Sequence, residues 1–202
     1  MAIALVDYGA GNLTSVIKGF HAVGAELRTI VDVNDLEGAE AIVIPGVGHF
    51  SATASLGPDW QGAIREMVSA GIPLLGICLG LQWLFDGSDE APDIPGFGLM
   101  SGRCFRLSGN VKVPHVGWNT LGATARPSRL LEGLPPDSSA YFTHSYAAPV
   151  GADTVAITTH GVPFASAVER GLTFGVQFHP EKSGPTGLRM LENFLRVVYG
   201  GR

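Results

Sequence analysis

Three residues carry the chemistry that this sequence suggests: a cysteine, a histidine and a glutamate. Cys78 sits in the stretch GIPLLGICLGLQWLF, residues 71–85, with one glycine two residues before it and another two residues after. This Gly-x-nucleophile-x-Gly spacing suits a strand that ends abruptly and turns into a helix. The glycines permit the sharp turn and the close packing around it. The turn residue then stands at the carboxyl edge of a sheet, where open α/β sheets bind ligands. The positive end of the following helix favours thiolate there. Free cysteine is otherwise among the most buried and inert residue types. A nucleophile therefore also needs a base, and the base a group that orients it.

There are six histidines. His179 lies in GVQFHPEKSG, with Glu181 two residues later. In extended chain, residues at i and i+2 point to the same side. Pro180 between them cannot donate to a ladder, which places the pair at a strand end or edge. His179 and Glu181 are thus poised as base and orienter for Cys78. His21 reads as a surface or packing residue on a helix. His49, His115 and His160 fall in loops or strand ends without a carboxylate companion, and His144 sits in THSY. Metal-ligand spacings such as CxxC or HExxH are absent, so no metal and no cofactor is expected.

These residues need a scaffold to bring them together, and 202 residues suffice for one good-sized core in a single domain, 1–202. Charged residues are 15% and hydrophobic residues 46%, a globular balance. The net charge is −5 with no run of lysine or arginine, so nucleic acid is not an expected partner. The apolar stretch around Cys78 is broken by Pro73 and by glycines, and it contains Gln82. It is too short for a membrane span of about 18 residues or more. The start, MAIALVDYGAGN, lacks the basic and apolar regions of a signal peptide, so a cytoplasmic location is expected. With only Cys78 and Cys104, a disulfide framework is not expected.

Strand-like runs (AIALVDYG, AELRTIV, EAIVIPG, IPLLGI) alternate with helical patterns (NLTSVIKGFHAVG, capped by Asn12, and residues 58–70). This predicts a parallel sheet with helices on both faces. LGLQWLF continues the fourth strand as a helix. From Gly98 to Phe178 strand candidates follow one another: GRCFRLS, KVPHVGWNTL, SAYFTHSYA, TVAITTH, PFASAVE and LTFGVQF. Hairpin turns between many of them predict antiparallel pairing. A last amphipathic helix, GPTGLRMLENFLRVVYG, closes the chain. The predicted fold is α/β: an open mixed sheet, mainly parallel in the N-terminal half, flanked by helices, with an antiparallel section in the C-terminal half.

GICLGLQ together with FHPEKS closely resembles the class I glutamine amidotransferases, whose triad is Cys-His-Glu. VDYGAGNL, IPGVGHF at 44–50, VPHVGWN at 113–119 and THSY at 143–146 resemble one branch of that family, the glutaminase subunits of imidazole glycerol phosphate synthase. The resemblance runs from residue 3 to the final helix. It implies Cys78 as nucleophile, His179 as base and Glu181 as orienter. It implies Gly46, Val47 and Gly48 as the oxyanion strand, with the Leu79 amide as the other donor. Gln82 and Glu90 would hold the glutamine substrate, with backbone contacts near Ser145. Family members often carry two adjacent glutamates where this chain has Asp89-Glu90. Asn12, Trp118, Asn119 and Lys182 would lie near a docking face for a cyclase subunit, a (β/α)8 barrel that receives the ammonia and makes imidazole glycerol phosphate and an aminoimidazole carboxamide ribonucleotide in histidine biosynthesis. The oxyanion donors would stay misaligned until that partner binds its nucleotide.

Rival readings are a glutaminase serving another synthase, a cysteine peptidase on the same scaffold, a catalytically dead adaptor, and a dinucleotide-binding module. YGAGNLT follows a strand and opens a helix, but Thr14 replaces the third glycine of G-x-G-x-x-G.

Overall fold

A computed structural model describes residues 2–200. In chain order the strands are β1 (Ala2–Val6), β2 (Leu27–Ile30), β3 (Ala39–Ile44), β4 (Leu74–Ile77), β5 (Gly87–Ser88), β6 (Arg103–Arg106), β7 (His115–Thr120), β8 (Gly122–Ala123), β9 (Ser139–His144), β10 (Tyr146–Ala147), β11 (Thr154–His160), β12 (Val162–Arg170) and β13 (Thr173–Val176). The α-helices are α1 (Leu13–Ala22), α2 (Pro58–Ser69), α3 (Leu79–Trp83) and α4 (Gly184–Gly200). The Asn12 side chain caps α1 by accepting from the Ser15 N–H, as a cap residue should. Among the described residues no helix is long and apolar enough to cross a membrane.

The main sheet has eight strands in the order β2-β1-β3-β4-β13-β12-β11-β8. The pairs from β2 through β4 to β13 are parallel. Those from β13 outward to β8 are antiparallel. The sheet is covered on both faces, which is why its central strands are apolar at nearly every position, Glu40 of β3 and Thr173 of β13 apart. Alternation assigns the faces. Ile3, Leu5, Val43, Leu75 and Ile77 join Val16 and Phe20 of α1 and Met190 and Phe194 of α4 in one core. Ala4, Val6, Ile42, Ile44 and Leu74 join Ile64 of α2 and Leu81 and Trp83 of α3 in the other.

Three features differ from expectation. LTFGVQF, grouped by sequence with the antiparallel strands, is the seam of the sheet: β13 is antiparallel to β12 but parallel to β4. Burial on both sides of a strand looks the same in sequence for either direction. SAYFTHSYA breaks at Ser145 into β9, which pairs with β7 alone, and β10, which joins β6 and β5. Because of that break, Ser145 projects beside the carboxyl end of the sheet and is not lost within a strand. The helix after Cys78 is shorter than LGLQWLF, ending with Leu84 as its C-cap.

Two glycines fix the turn after β4. A Cβ on Gly76 would lie 2.6 Å from the Gly80 carbonyl oxygen, and one on Gly80 would collide with the Ile44 carbonyl. Gly80→Ala is therefore expected to cost about 1–3 kcal/mol, as overpacked core sites do. Urea unfolding should show it as a lower midpoint at unchanged slope.

Candidate active site

The parallel strands β1, β3, β4 and β13 all end at one edge, and the segments that follow them build the site. Ile77 of β4 is in register with Val176 of β13. The next residues are thus neighbours: the Cys78 N–H donates to the Val176 carbonyl at 2.7 Å, and Gln177 Nε2 donates to Cys78 Sγ at 3.6 Å. Cys78 has φ +55°, and no other non-glycine among the described residues has a positive φ. Strain of this kind is stored where a side chain must be aimed. It turns the thiol out of the strand line and into a pocket while the residue remains only 4% exposed.

His179 follows β13 by three residues. Its N–H donates to the Tyr141 carbonyl, and Ser183 Oγ donates to its own carbonyl at 2.6 Å. Its ring Nδ1 lies 2.8 Å from Glu181 Oε1. The pairing is as expected, but the reason for it is not. Pro180–Lys182 is a turn of 3-10 helix, so the carboxylate reaches the ring by the chain folding back, not by strand alternation. Close packing holds Glu181 there: a Cβ on Gly19 of α1 would come within 3.0 Å of the Glu181 Cβ. Both side chains are nearly inaccessible, at 3% and 2%.

Burial alone would lower the His179 pKa. The nearby Cys78 sulfur, together with the hydrogen bond and negative charge of Glu181, outweighs it and raises the ring to about 10. Nε2 has no hydrogen-bond partner within bonding geometry, so Cys78 acts on the ring by proximity in this resting arrangement. Such contacts commonly tighten only with substrate bound. Tyr8 hydrogen-bonds the Pro45 carbonyl at 2.8 Å, and its pKa is raised, first by burial and then by the negative charge of Cys78. Cys104 is a different case. It is fully buried, it contacts the Gln82 carbonyl at 3.8 Å, and burial above all raises its pKa.

Gly48, Cys78, Leu79, Gln82, Glu90, Pro114 and the segment Thr143–Tyr146 enclose a pocket of about 200 Å³. A larger cleft of about 700 Å³ lies at the opposite edge of the sheet, lined by Gly38, Pro73 and Leu172, and contains neither cysteine nor histidine. Size alone would therefore mislead. Glu90 Oε2 accepts from the Phe50 N–H at 2.8 Å, whereas the exposed Asp89 pairs with Arg103, so Glu90 is the one of the two that lines the pocket. Gln82 Nε2 is committed to the Tyr146 carbonyl at 2.8 Å and to Gln177 Oε1 at 3.2 Å. Ser145 lines the pocket between β9 and β10.

Gly46, Val47 and Gly48 form the loop after β3. A Cβ on Gly46 would collide with the Tyr8 hydroxyl. The Leu79 N–H donates to the Gly46 carbonyl at 3.3 Å. C=O and N–H of one planar trans peptide point in opposite directions. With the Gly46 carbonyl on Leu79, the Val47 N–H therefore points away, and the two expected donors do not converge.

Asn12, Trp118, Asn119 and Lys182 lie outside the pocket. Trp118 is 57% exposed and packs edge-on against Tyr141, and its ring also lies against Gly184. Lys182 and Asn12 are exposed, and Asn119 is half-buried. Asn12 follows Gly11, which packs against Gly46. Among the described residues no group of three or more His, Cys, Asp or Glu is placed to hold a metal ion.

The glutamine amidotransferase class-I family model matches residues 4–198. The chain belongs to the class-I glutamine amidotransferases. This amidotransferase is 46% identical over 202 residues to the imidazole glycerol phosphate synthase subunit HisH of Deinococcus radiodurans, covering 97% of this chain and 94% of that one. It is also 46% identical to the HisH subunit of Xanthomonas campestris pv. campestris, covering 98% of each. Among solved structures, its fold matches a glutamine amidotransferase at TM-score 0.76 and 19% identity, covering 98% of this chain and 99% of that one. It matches PurLQS from Thermotoga maritima at TM-score 0.74 and 20% identity, covering 96% and 97%.

Sequence reasoning missed Gln177. Its signal was period-2 spacing: it lies two residues before His179 on the same strand end. His115 has no carboxylate companion in the sequence, yet in the fold it has partners, His144 at 3.2 Å and Asn119 at 3.3 Å. Burial chiefly, with the charge of His160, pushes His115 down to about 4. Burial likewise pushes His144 down to about 3, helped by the neighbouring histidines and opposed by its bond to the Tyr146 carbonyl. The unfolded chain binds these protons near pH 6.5, and the folded amidotransferase does so only at lower pH. Unfolding therefore takes up protons in that window, and stability must fall as pH drops from 6.5 toward 4. Denaturant midpoints measured across this range should decline, and His115→Phe should flatten the decline.

Proposed function

We propose that this chain, acting as one domain over residues 1–202, hydrolyses glutamine to glutamate and ammonia and delivers the ammonia to a separate synthase subunit. The observation that carries this reading is a strained, pocket-facing Cys78 beside an imidazole that Glu181 holds by a 2.8 Å hydrogen bond. The thiolate attacks the carboxamide carbon. The tetrahedral oxyanion is met by backbone N–H donors, each worth about 3 kcal/mol in such sites. His179, with its raised pKa, protonates the departing ammonia and then draws a proton from the water that hydrolyses the glutamyl thioester. Glu90, the free oxygen of Gln82 and the Ser145 backbone hold the substrate.

The partner is the cyclase subunit, a (β/α)8 barrel, and the pathway is histidine biosynthesis. The HisH relatives support this over another synthase, since they match nearly end to end at 46% identity. Trp118, Asn119, Asn12 and Lys182 form the docking face. Exposure of Trp118 and of its neighbour Val116, each 57%, supports it, because Trp is favoured at binding hot spots. In the free chain the Gly46–Val47 peptide presents its carbonyl to Leu79, so one oxyanion donor is occupied and the other faces away. Docking flips this peptide, a movement that the flanking glycines allow. The reaction proceeds where ammonia reacts, inside the cell; a cytoplasmic site is part of this proposal.

Glutaminase turnover with and without the cyclase and its nucleotide tests the reading. The isolated chain should be at least about 100-fold slower than the loaded complex, the order of losing one oxyanion donor. Cys78→Ala should abolish turnover in both. Equal rates for free and loaded protein remove the gating, and activity in Cys78→Ala removes the mechanism.

A further inference from the structure

Behind the pocket wall, side-chain hydrogen bonds run without a gap from the surface of β7 to the sulfur. Asn119 Nδ2 contacts His115 Nε2 at 3.3 Å, and His115 Nδ1 contacts His144 Nε2 at 3.2 Å. His144 Nδ1 contacts the Tyr146 carbonyl at 2.9 Å, which also accepts from Gln82 Nε2 at 2.8 Å. Gln82 Nε2 also reaches Gln177 Oε1 at 3.2 Å, and Gln177 Nε2 ends the chain on Cys78 Sγ at 3.6 Å.

Each polarity in this chain is forced. Asn119 cannot turn over, because its Oδ1 accepts from the Thr120 N–H at 2.8 Å and its Nδ2 donates to the Thr159 carbonyl at 3.1 Å. Its Nδ2 therefore donates to His115, whose Nε2 must accept. A carbonyl only accepts, so His144 Nδ1 must carry a proton. The bond between the two rings then has one consistent direction: His115 Nδ1 donates and His144 Nε2 accepts. Both rings are neutral, with the proton on Nδ1. Gln82 is fixed in turn by the Tyr146 carbonyl. It therefore donates to Gln177 Oε1, which leaves Gln177 with only its N–H face to present to the thiol. Stacking of His115 on Phe142 and on His160, with ring centroids at 4.8 and 4.1 Å, holds the ring in this plane.

We propose that Gln177, His144 and His115 are positioning residues, a hydrogen-bonded relay of fixed polarity that anchors the Thr143–Tyr146 pocket wall and aims an N–H donor at the Cys78 sulfur. The relay rests on the reading of Cys78 as nucleophile and extends it. Its outer end, Asn119, belongs to the proposed docking face, and its inner end touches the reacting atom.

Two measurements on the full chain test it. Nitrogen-15 spectra of the histidine rings at pH 7 should show both His115 and His144 protonated on Nδ1 and bare on Nε2. A proton on Nε2 of either ring overturns the relay. Alkylation of Cys78 by iodoacetamide, followed by peptide mass spectrometry across pH, reads the sulfur end. Tyr8, His179 and, behind it, Glu181 lie near Cys78, with Glu90 and His144 across the pocket, and Gln177→Leu alters none of these residues. Loss of one donor to a thiolate should raise the midpoint of the profile by about one pH unit in that variant. An unchanged midpoint overturns the relay while leaving the glutaminase reading intact, because that reading falls only if Cys78→Ala stays active. Should Gln177→Leu fail to fold, the ring spectra of the unaltered chain still decide.

Discussion

The in-register parallel pairing of β4 with β13 is the constraint on which the rest depends. It joins two segments separated by nearly half the chain, and it brings their carboxyl ends to the same height. Cys78 leaves β4 one residue past Ile77, while Gln177 and then His179 leave β13 just past Val176. A slip of one residue in this register would send every side chain of β13 to the opposite face. It would also take Gln177 off the sulfur and His179 away from Cys78. The glycines on either side of Cys78 serve the same geometry, since they let the turn pack directly against the end of β3 and so bring the Gly46 loop to Cys78.

The site shows how neighbours set the charge of one residue type. His179, His144 and His115 are all buried, and burial pushes each toward neutrality. His179 has an acid and a thiol as partners and is raised. His144 and His115 have a carbonyl, an amide and each other, and both are lowered. One imidazole is thereby held toward its protonated form and the other two toward the neutral form, which fits the roles proposed for them. Such separation of pKa values is how a single pocket assigns acid, base and scaffold roles.

Much of this was legible in the sequence. Alternation and punctuation marked the parallel half, because strands covered on both faces and helices with one apolar stripe leave different periodicities. Cys78, His179 and Glu181 could be found by type and spacing. The rest depends on contacts distant in sequence. The parallel side of β13, the break at Ser145 and the meeting of His115 with His144 across β7 and β9 follow from which strand lies beside which, and local pattern does not encode that. Glu90 and Asp89 are chemically alike, and only their contacts separate them: Glu90 accepts from the Phe50 N–H in the pocket wall, while Asp89 pairs with Arg103. The 3-10 turn at Pro180 gives the right contact by a route that strand alternation did not foresee.

The central claim is that glutamine is cleaved through a covalent bond to one particular sulfur. Rapid acid quenching of the complex during turnover, followed by mass spectrometry of its peptides, tests this directly. The account predicts a glutamyl thioester on the peptide bearing Cys78 and none on the peptide bearing Cys104. Turnover with an adduct on Cys104, or with Cys78 unmodified at every time point, would contradict it.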